Sequence, residues 1–446
     1  MSDTNARSSP APDTPLDAIY GLVANEEDAR VCRDIPDEAC SDLPRNFFLQ
    51  VAARILTKLG DALANPKTVL AWLLSLQGAP AFLVAFLVPI RESGSMIPQI
   101  FIAGYIRNLA RRKWVWVIGS VLQAGAVAAM GITAMTMTGV AAGWTIIALL
   151  TLFSLARGLS SIASKDVLGK TVPKRRRGRL TGLAASLSGV LTLGVALWLL
   201  MAGGTRSYSA GFYGMLLTGA AGLWLAAAGI FAAIQEHGGA TEGGRNAIRQ
   251  AIRSLSLLRT DPTFRHFVFT RALMLCSALS APYYVVLAQE HYGTGNHLLG
   301  LFILANGLAS SLSATVWGRA ADRSSRQVMI GAGAATALTG IALFTVVNTL
   351  PAVSGTSWLY PLAFFFLGIA HSGVRMGRKT YVVDLASGNR RTDYVAVSNT
   401  VIGVILLVSG SVGALTTVLS ADEIILVLSL FGVAGALSAW RLPEVE

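Results

Sequence analysis

Twelve apolar stretches recur through this chain at near-regular intervals, and that spacing excludes almost every water-soluble fold. They cover residues 47–76, 80–106, 114–136, 143–166, 179–202 and 208–234, then 264–289, 296–318, 327–349, 357–379, 394–419 and 422–440. A bilayer core takes about 20 mostly apolar residues per helix. Lipid offers a backbone N–H or C=O no partner, so such segments must satisfy their own hydrogen bonds as helices. At about 35 residues per helix and loop, twelve crossings use roughly 420 residues, and the chain has 446. Charged side chains are only 13% of it, against about 25% in soluble domains, and the mean hydropathy is +0.57. The expected fold class is an all-α membrane protein of twelve transmembrane helices. The first stretch is interrupted by Lys58, Asp61, Pro66 and Lys67. Reading 47–65 as an interfacial helix would leave eleven crossings. Twelve is preferred because the seventh stretch is built alike, with Phe264 for Phe48 and Pro282 for Pro66.

Four regions follow: an acidic tail over 1–45, a six-helix bundle over 46–234, a polar linker over 235–263 and a second six-helix bundle over 264–440. The tail carries ten acidic and four basic side chains and has no apolar stretch of crossing length. The first crossing is therefore expected to act as its own insertion signal. Cys32 and Cys40, with no histidine nearby, are expected to be reduced thiols rather than a metal site. In the linker, Arg245, Arg249 and Arg253 recur every four residues beside Ile248, Ile252 and Leu255. That pattern predicts an amphipathic helix at the membrane surface, on which the acidic tail could dock.

The net charge of +12 lies in alternate loops. Arg107, Arg111, Arg112 and Lys113 follow the second stretch; Lys170 and Lys174 to Arg177 follow the fourth. The linker, Arg319 to Arg326, and Arg390 with Arg391 continue the series, whereas Arg206 stands alone on the other side. Basic loops stay in the cytoplasm. This predicts a multi-pass protein of the cytoplasmic (inner) membrane with both termini inside, and it accounts for the basic character without nucleic acid.

Two loop pairs share one offset. Gly104 and Gly318 are 214 residues apart, as are Arg112 and Arg326, and KRRRGRLTG at 174–182 aligns with GNRRTDYVA at 388–396. A fixed offset across separate loops predicts a duplication into two six-helix halves, with a substrate site between them near the bilayer midplane. The loop after the second stretch, GYIRNLARRK, resembles the G-x-L-a-D-R-x-G-R-R/K signature of the major facilitator superfamily. Gly104, Ile106, Asn108, Arg112 and Lys113 occupy matching positions; Asn108 replaces the aspartate and Arg111 the second glycine. The second-half copy supplies Gly318, Ala320, Asp322, Arg323 and Arg326. Arg157 in LFSLARGLSS and the loop KRRRGRLTGL are similar to the family as well. The resemblance spans roughly 46–440 and implies a transporter. It makes Gly104, Asn108, Arg112, Gly318, Asp322 and Arg326 gating-loop residues, with Asp166 a candidate partner for Arg112. Simple positive-inside topology explains the basic ones equally well.

A charge at mid-bilayer costs at least about 2.5–3.5 kcal/mol and usually marks function. At about 1.5 Å per residue, Asp61, Arg91, Glu92 and Arg157 all fall roughly 18–21 Å from a helix end, with Lys58 one turn from Asp61. His371 stands at the position 214 residues after Arg157, with Arg375 one turn on. Lys58, Asp61, Arg91, Glu92, Arg157, His371 and Arg375 are therefore expected to line a cavity. There the arginines would hold an anionic or zwitterionic solute and Asp61 or Glu92 would carry a coupling proton. The plainer alternative pairs Lys58 with Asp61 and Arg91 with Glu92 to hold helices together. No G-x-x-x-x-G-K-[ST] or HExxH motif occurs, so no cofactor, metal or catalytic centre is expected. The expectation is a monomeric secondary transporter whose partners are a small solute, protons and the bilayer. A lipid translocase, or a scaffold or sensor that transports nothing, is the alternative on the same fold.

Overall fold

A computed structural model describes Tyr20 and residues 40–445, apart from 98–105, 107–108, 204–208, 239–254 and 386–390. Every one of the twelve stretches carries helix. Among the described residues, nine helices are long and apolar enough to cross a membrane, from Lys113–Thr136 to Ala421–Trp440. The remaining three stretches fall short for visible reasons. The first is two helices, Leu43–Leu63 and Val69–Leu76, because Pro66 cannot continue a helix. The second is described over Ala81–Met96. In the eleventh, Arg391–Ser409 passes into a 3₁₀ turn, Gly410–Thr417. The seventh stretch breaks near Pro282 as the first does near Pro66, into Pro262–Leu273, Cys276–Leu279 and Ala281–Tyr292.

The cores show how the halves meet. On the side opposite the basic loops, one continuous apolar cluster joins both halves, including Trp72, Leu83, Leu87 and Leu199 from the first and Tyr284, Leu299, Phe302 and Leu428 from the second. Backbones approach closely there: a Cβ on Gly413 of the eleventh stretch would stand 2.6 Å from the Phe82 carbonyl oxygen of the second. On the basic-loop side the clusters stay within one half each. Phe264, Phe267, Met329 and Tyr381 form one in the second half, and Phe47 with Val172, and Trp116 with Phe231, form two in the first. Among the described residues, the two halves therefore share one apolar core at one end and keep separate cores at the other.

The basic loops are clamped within each half. Glu236, buried just after the sixth helix, accepts from the backbone N–H groups of Arg112 (3.0 Å) and Lys113 (2.7 Å) at the start of the third, and from Lys170 Nζ (3.0 Å). A carboxylate on orphan N–H groups at a helix start satisfies both the hydrogen bonds and the helix dipole. Arg112 Nη1 also lies 3.0 Å from Asp166 Oδ2. In the second half Glu444, just after the twelfth helix, accepts from Ser324 Oγ (2.5 Å). Its Oε2 stands 2.8 Å from Arg326 Nε, an ion pair by distance without the alignment of a hydrogen bond.

Tyr20 reaches from the tail to pack edge-on against Phe47 and Phe48. Cys40 is disulfide-bonded, which corrects the expectation of a reduced thiol there; Cys276 is free and buried. Gly104, Asn108, the amphipathic helix expected from Arg245 up to Arg253 and tail residues 1–19 and 21–39 lie outside the described residues. Asp322 ends its helix exposed, and Gly318 has open space at its Cβ position.

Candidate functional site

A cavity of about 580 Å³ lies between the halves, within the range of small-molecule sites. Of the seven predicted site residues, Asp61, Arg91, Glu92, Arg157, His371 and Arg375 line it. Lys58 does not. It faces a neighbouring cavity of about 390 Å³ inside the first half, which Asp61 and Arg157 also line.

The plain pairing scheme is corrected by the contacts. Asp61 Oδ1 accepts from Arg91 Nη2 at 3.1 Å and also from Arg157 Nη1. One carboxylate thus ties the first, second and fourth stretches together. Arg91 further rests over the Phe153 ring, 4.8 Å from its centre. Neither Lys58 with Asp61 nor Arg91 with Glu92 forms an ion pair among the described residues, and Glu92 is left facing the cavity without one.

A second tie crosses between the halves. The Pro66 break brings Lys67 to the cavity wall, where its Nζ lies 3.0 Å from His371 Nε2. The other ring nitrogen is 3.1 Å from Ser277 Oγ, which donates to the Met274 carbonyl at 3.1 Å. An ammonium can only donate, so Nε2 is the acceptor and Nδ1 carries the ring proton. His371 is held neutral in this arrangement, between a broken helix of one half and a broken helix of the other.

Three further cations were not predicted: Lys67, Arg378 and Lys379. The signal was present in the spacing of the tenth stretch. His371, Arg375 and Arg378 are four and three residues apart, which puts them on one helix face, with Lys379 beside them. In all, Lys67, Arg91, Arg157, Arg375, Arg378 and Lys379 face only Asp61 and Glu92, an excess of four positive charges. Arg375, Arg378 and Lys379 have no ion pair among the described residues, and Arg378 Nε is buried without an acceptor. The offset of 214 recurs in the wall: Glu92 and Asn306, Arg157 and His371, and Ser161 and Arg375 are repeat-related pairs on one cavity. Arg271 lies outside this set and ties the seventh stretch to the eleventh through Ser398 Oγ (2.5 Å) and Asn399 Oδ1 (2.9 Å). Among the described residues no cluster of three or more His, Cys, Asp or Glu side chains could hold a metal ion.

Comparison with known proteins fits this geometry. Residues 272–446 match the family model of the Major Facilitator Superfamily. The fold is similar to that of the xylose transporter XylE from E. coli in an inward open conformation, with a TM-score of 0.64 and 13% identity over 90% of this chain and 96% of that one. It is also similar to the nucleoside transporter NupG, with a TM-score of 0.63 and 13% identity over 88% and 98%. A POT family transporter in complex with 5-aminolevulinic acid gives a TM-score of 0.66 and 10% identity over 89% and 95%. In sequence, an uncharacterized protein of Mycobacterium tuberculosis (strain ATCC 25618 / H37Rv) is 23% identical over 416 residues, 90% of this chain and 78% of its own length. The match to the family model lies in the second half of the chain, and the likeness in fold to these transporters extends over both halves.

Proposed function

We propose that this protein is a secondary transporter that moves a small anionic solute across the cytoplasmic membrane by alternating access, with Glu92 carrying a coupling proton. The observation behind this reading is the excess of positive charge in a cavity between two halves that share an apolar core at one end. Charges of one sign in a low-dielectric cleft focus the field on an oppositely charged solute. Arg375, Arg378 and Lys379 have donors to spare, and guanidinium groups bind carboxylate or phosphate through two parallel bonds. Lys165 and Lys379, again 214 residues apart, stand close enough on the two halves to feel each other's charge. Bringing the basic-loop ends of the halves together costs repulsion unless an anion lies between them. Asp61 is engaged by two arginines, whereas Glu92 has no ion pair and lines the cavity, so the proton role falls to Glu92. Similar folds handle xylose, nucleosides and, in the POT family transporter, 5-aminolevulinic acid, which bears a carboxylate. A scaffold that transports nothing would need fully paired charges and no pocket, and the three unpaired cations count against it.

The test is uptake into proteoliposomes from a panel of small carboxylates and phosphates under an imposed pH gradient. A hydrogen bond to a charged group contributes about 1.5–3 kcal/mol. Arg378→Gln is therefore expected to weaken affinity for the accepted anion roughly 10- to 150-fold. Glu92→Gln is expected to abolish the response to the gradient while anion exchange persists. Unchanged gradient-driven flux in both Glu92→Gln and Asp61→Asn would overturn the proton role. Equal uptake of neutral and anionic solutes would overturn the anion reading.

A further inference from the structure

The uncharged part of the central wall is polar where it meets the cavity. Apart from Met96, its apolar side chains are buried, Met274, Leu275, Val374 and Leu406 among them. Asn65, Ser161, Asn306, Ser310 and Ser372 line it too, and all five are half-buried or exposed. Their hydrogen-bonding groups are largely unused. Among the described residues the side chains of Ser161, Asn306, Ser310 and Ser372 form no hydrogen bond, and Asn65 uses only its Oδ1, which accepts from the Lys67 backbone N–H at 2.8 Å. A helical serine commonly bonds back to a carbonyl one turn earlier, as Ser313 does to Ala309 on the same helix; Ser310 does not. Asn306 and Ser310 are one turn apart on Asn296–Ala321 and share a face. Asn306 is also the repeat counterpart of Glu92, so the two halves present an amide and an acid to one cavity. These neutral groups stand apart from the cations. A Cβ on Gly368 would lie 2.8 Å from the Ala309 side chain, which sets Ser310 level with Gly368. Arg375 is seven residues further along that helix, about 10 Å nearer the basic loops at about 1.5 Å per residue.

We propose that the solute is an anion whose carbon skeleton carries several hydroxyl groups, a sugar phosphate or a sugar acid, with Asn306 and Ser310 binding the hydroxyls and Arg375 and Arg378 the charged end. This rests on the anion reading above and adds what the rest of the solute must be. Alternating access closes the cavity around its solute and expels water. An amide and a hydroxyl at this depth then need partners from the solute. A solute hydroxyl both donates and accepts, so it satisfies either one; an alkyl or aryl chain satisfies neither. A site built to bond a substrate hydroxyl rejects the analogue lacking it far more strongly than an apolar pocket rejects an added one. An anion with an apolar body would instead need apolar surface, and in this wall most of that surface is buried.

The experiment is isothermal titration of the full-length protein in nanodiscs with two matched pairs, gluconate with hexanoate and glucose 6-phosphate with cyclohexylmethyl phosphate, and with glucose as the neutral control. The hydroxylated member of at least one pair is expected to bind about 100-fold more tightly than its partner, and the pair that shows this assigns the charged end as carboxylate or phosphate. Asn306→Leu, which keeps the volume and removes the amide, and Ser310→Ala are each expected to lower that ratio roughly tenfold; should Asn306→Leu fail to fold, Ser310→Ala carries the test. Arg378→Gln is expected to weaken both members of the pair alike and leave their ratio in place. Equal binding within both pairs, or a ratio that neither Asn306→Leu nor Ser310→Ala changes, would overturn the proposal while the anion reading stands. Glucose binding as tightly as gluconate and glucose 6-phosphate would overturn the anion reading itself, and no binding by any of the five compounds would overturn both.

Discussion

Asp61 shows how a residue's role depends on neighbours far away in sequence. Its charge, deep in a weak first stretch, marks it in the sequence as a candidate cavity residue, with Lys58 at one helical turn as the natural partner. The fold instead supplies Arg91 and Arg157, 30 and 96 residues away. Spacing along one helix cannot register a partner on another. Removing Asp61 leaves two arginines facing each other, and breaking a buried pair by deleting one partner is destabilising. The pair here is partly open to the cavity, so the effect is smaller than for a fully buried one. Asp61→Asn is expected to lower stability by about 1–3 kcal/mol, read as a drop in the thermal unfolding midpoint. Asp61→Asn combined with Arg157→Gln should recover part of that loss, because it removes the repulsion along with the attraction. A double variant no more stable than the single one would show that the tie contributes nothing beyond its parts.

At the scale of elements, the two prolines carry more than a stop signal. Pro66 was read as an interruption that cast doubt on a crossing. In the fold it divides the first stretch and places Lys67 against His371. The helices themselves were legible in the apolar runs because lipid demands them. Their contacts rest on small residues whose spacing has no unique partner in sequence. The third and sixth helices meet where Gly131 and Gly214 each approach the other's backbone: a Cβ on Gly131 would stand 2.6 Å from the Gly214 carbonyl oxygen. Gly131→Ala is therefore expected to destabilise by about 1–3 kcal/mol through overpacking. Gly125→Ala, on the same helix with nothing within 4 Å, should be neutral or slightly stabilising. Thermal unfolding of the two variants side by side checks the contrast, and equal midpoints would contradict this packing.

For the whole molecule, the apolar core that joins the halves on the side opposite the basic loops predicts a one-sided accessibility. Lys379 stands exposed at the cavity, near the basic-loop end of the tenth helix. In a Cys276→Ser background, Lys379→Cys is expected to react with a membrane-impermeant thiol reagent added from the basic-loop side and to be protected from the other. Reaction from both sides would mean that the seal around Trp72, Leu83 and Tyr284 is not maintained. The amino-acid sequence by itself pointed to the helical fold, its duplication and a set of charges within the apolar stretches. Hydropathy, loop charge and repeat offset are local or periodic properties, readable without knowing what touches what. Only the tertiary structure decided which charges are spent on one another and which line the cavity without an ion pair among the described residues. It clamped Asp61 between two arginines, freed Glu92, turned Lys58 into a separate cavity and added Lys67, Arg378 and Lys379 to the central one. Ionic pairing depends on distances between helices, and those are set by how the small residues let the helices approach.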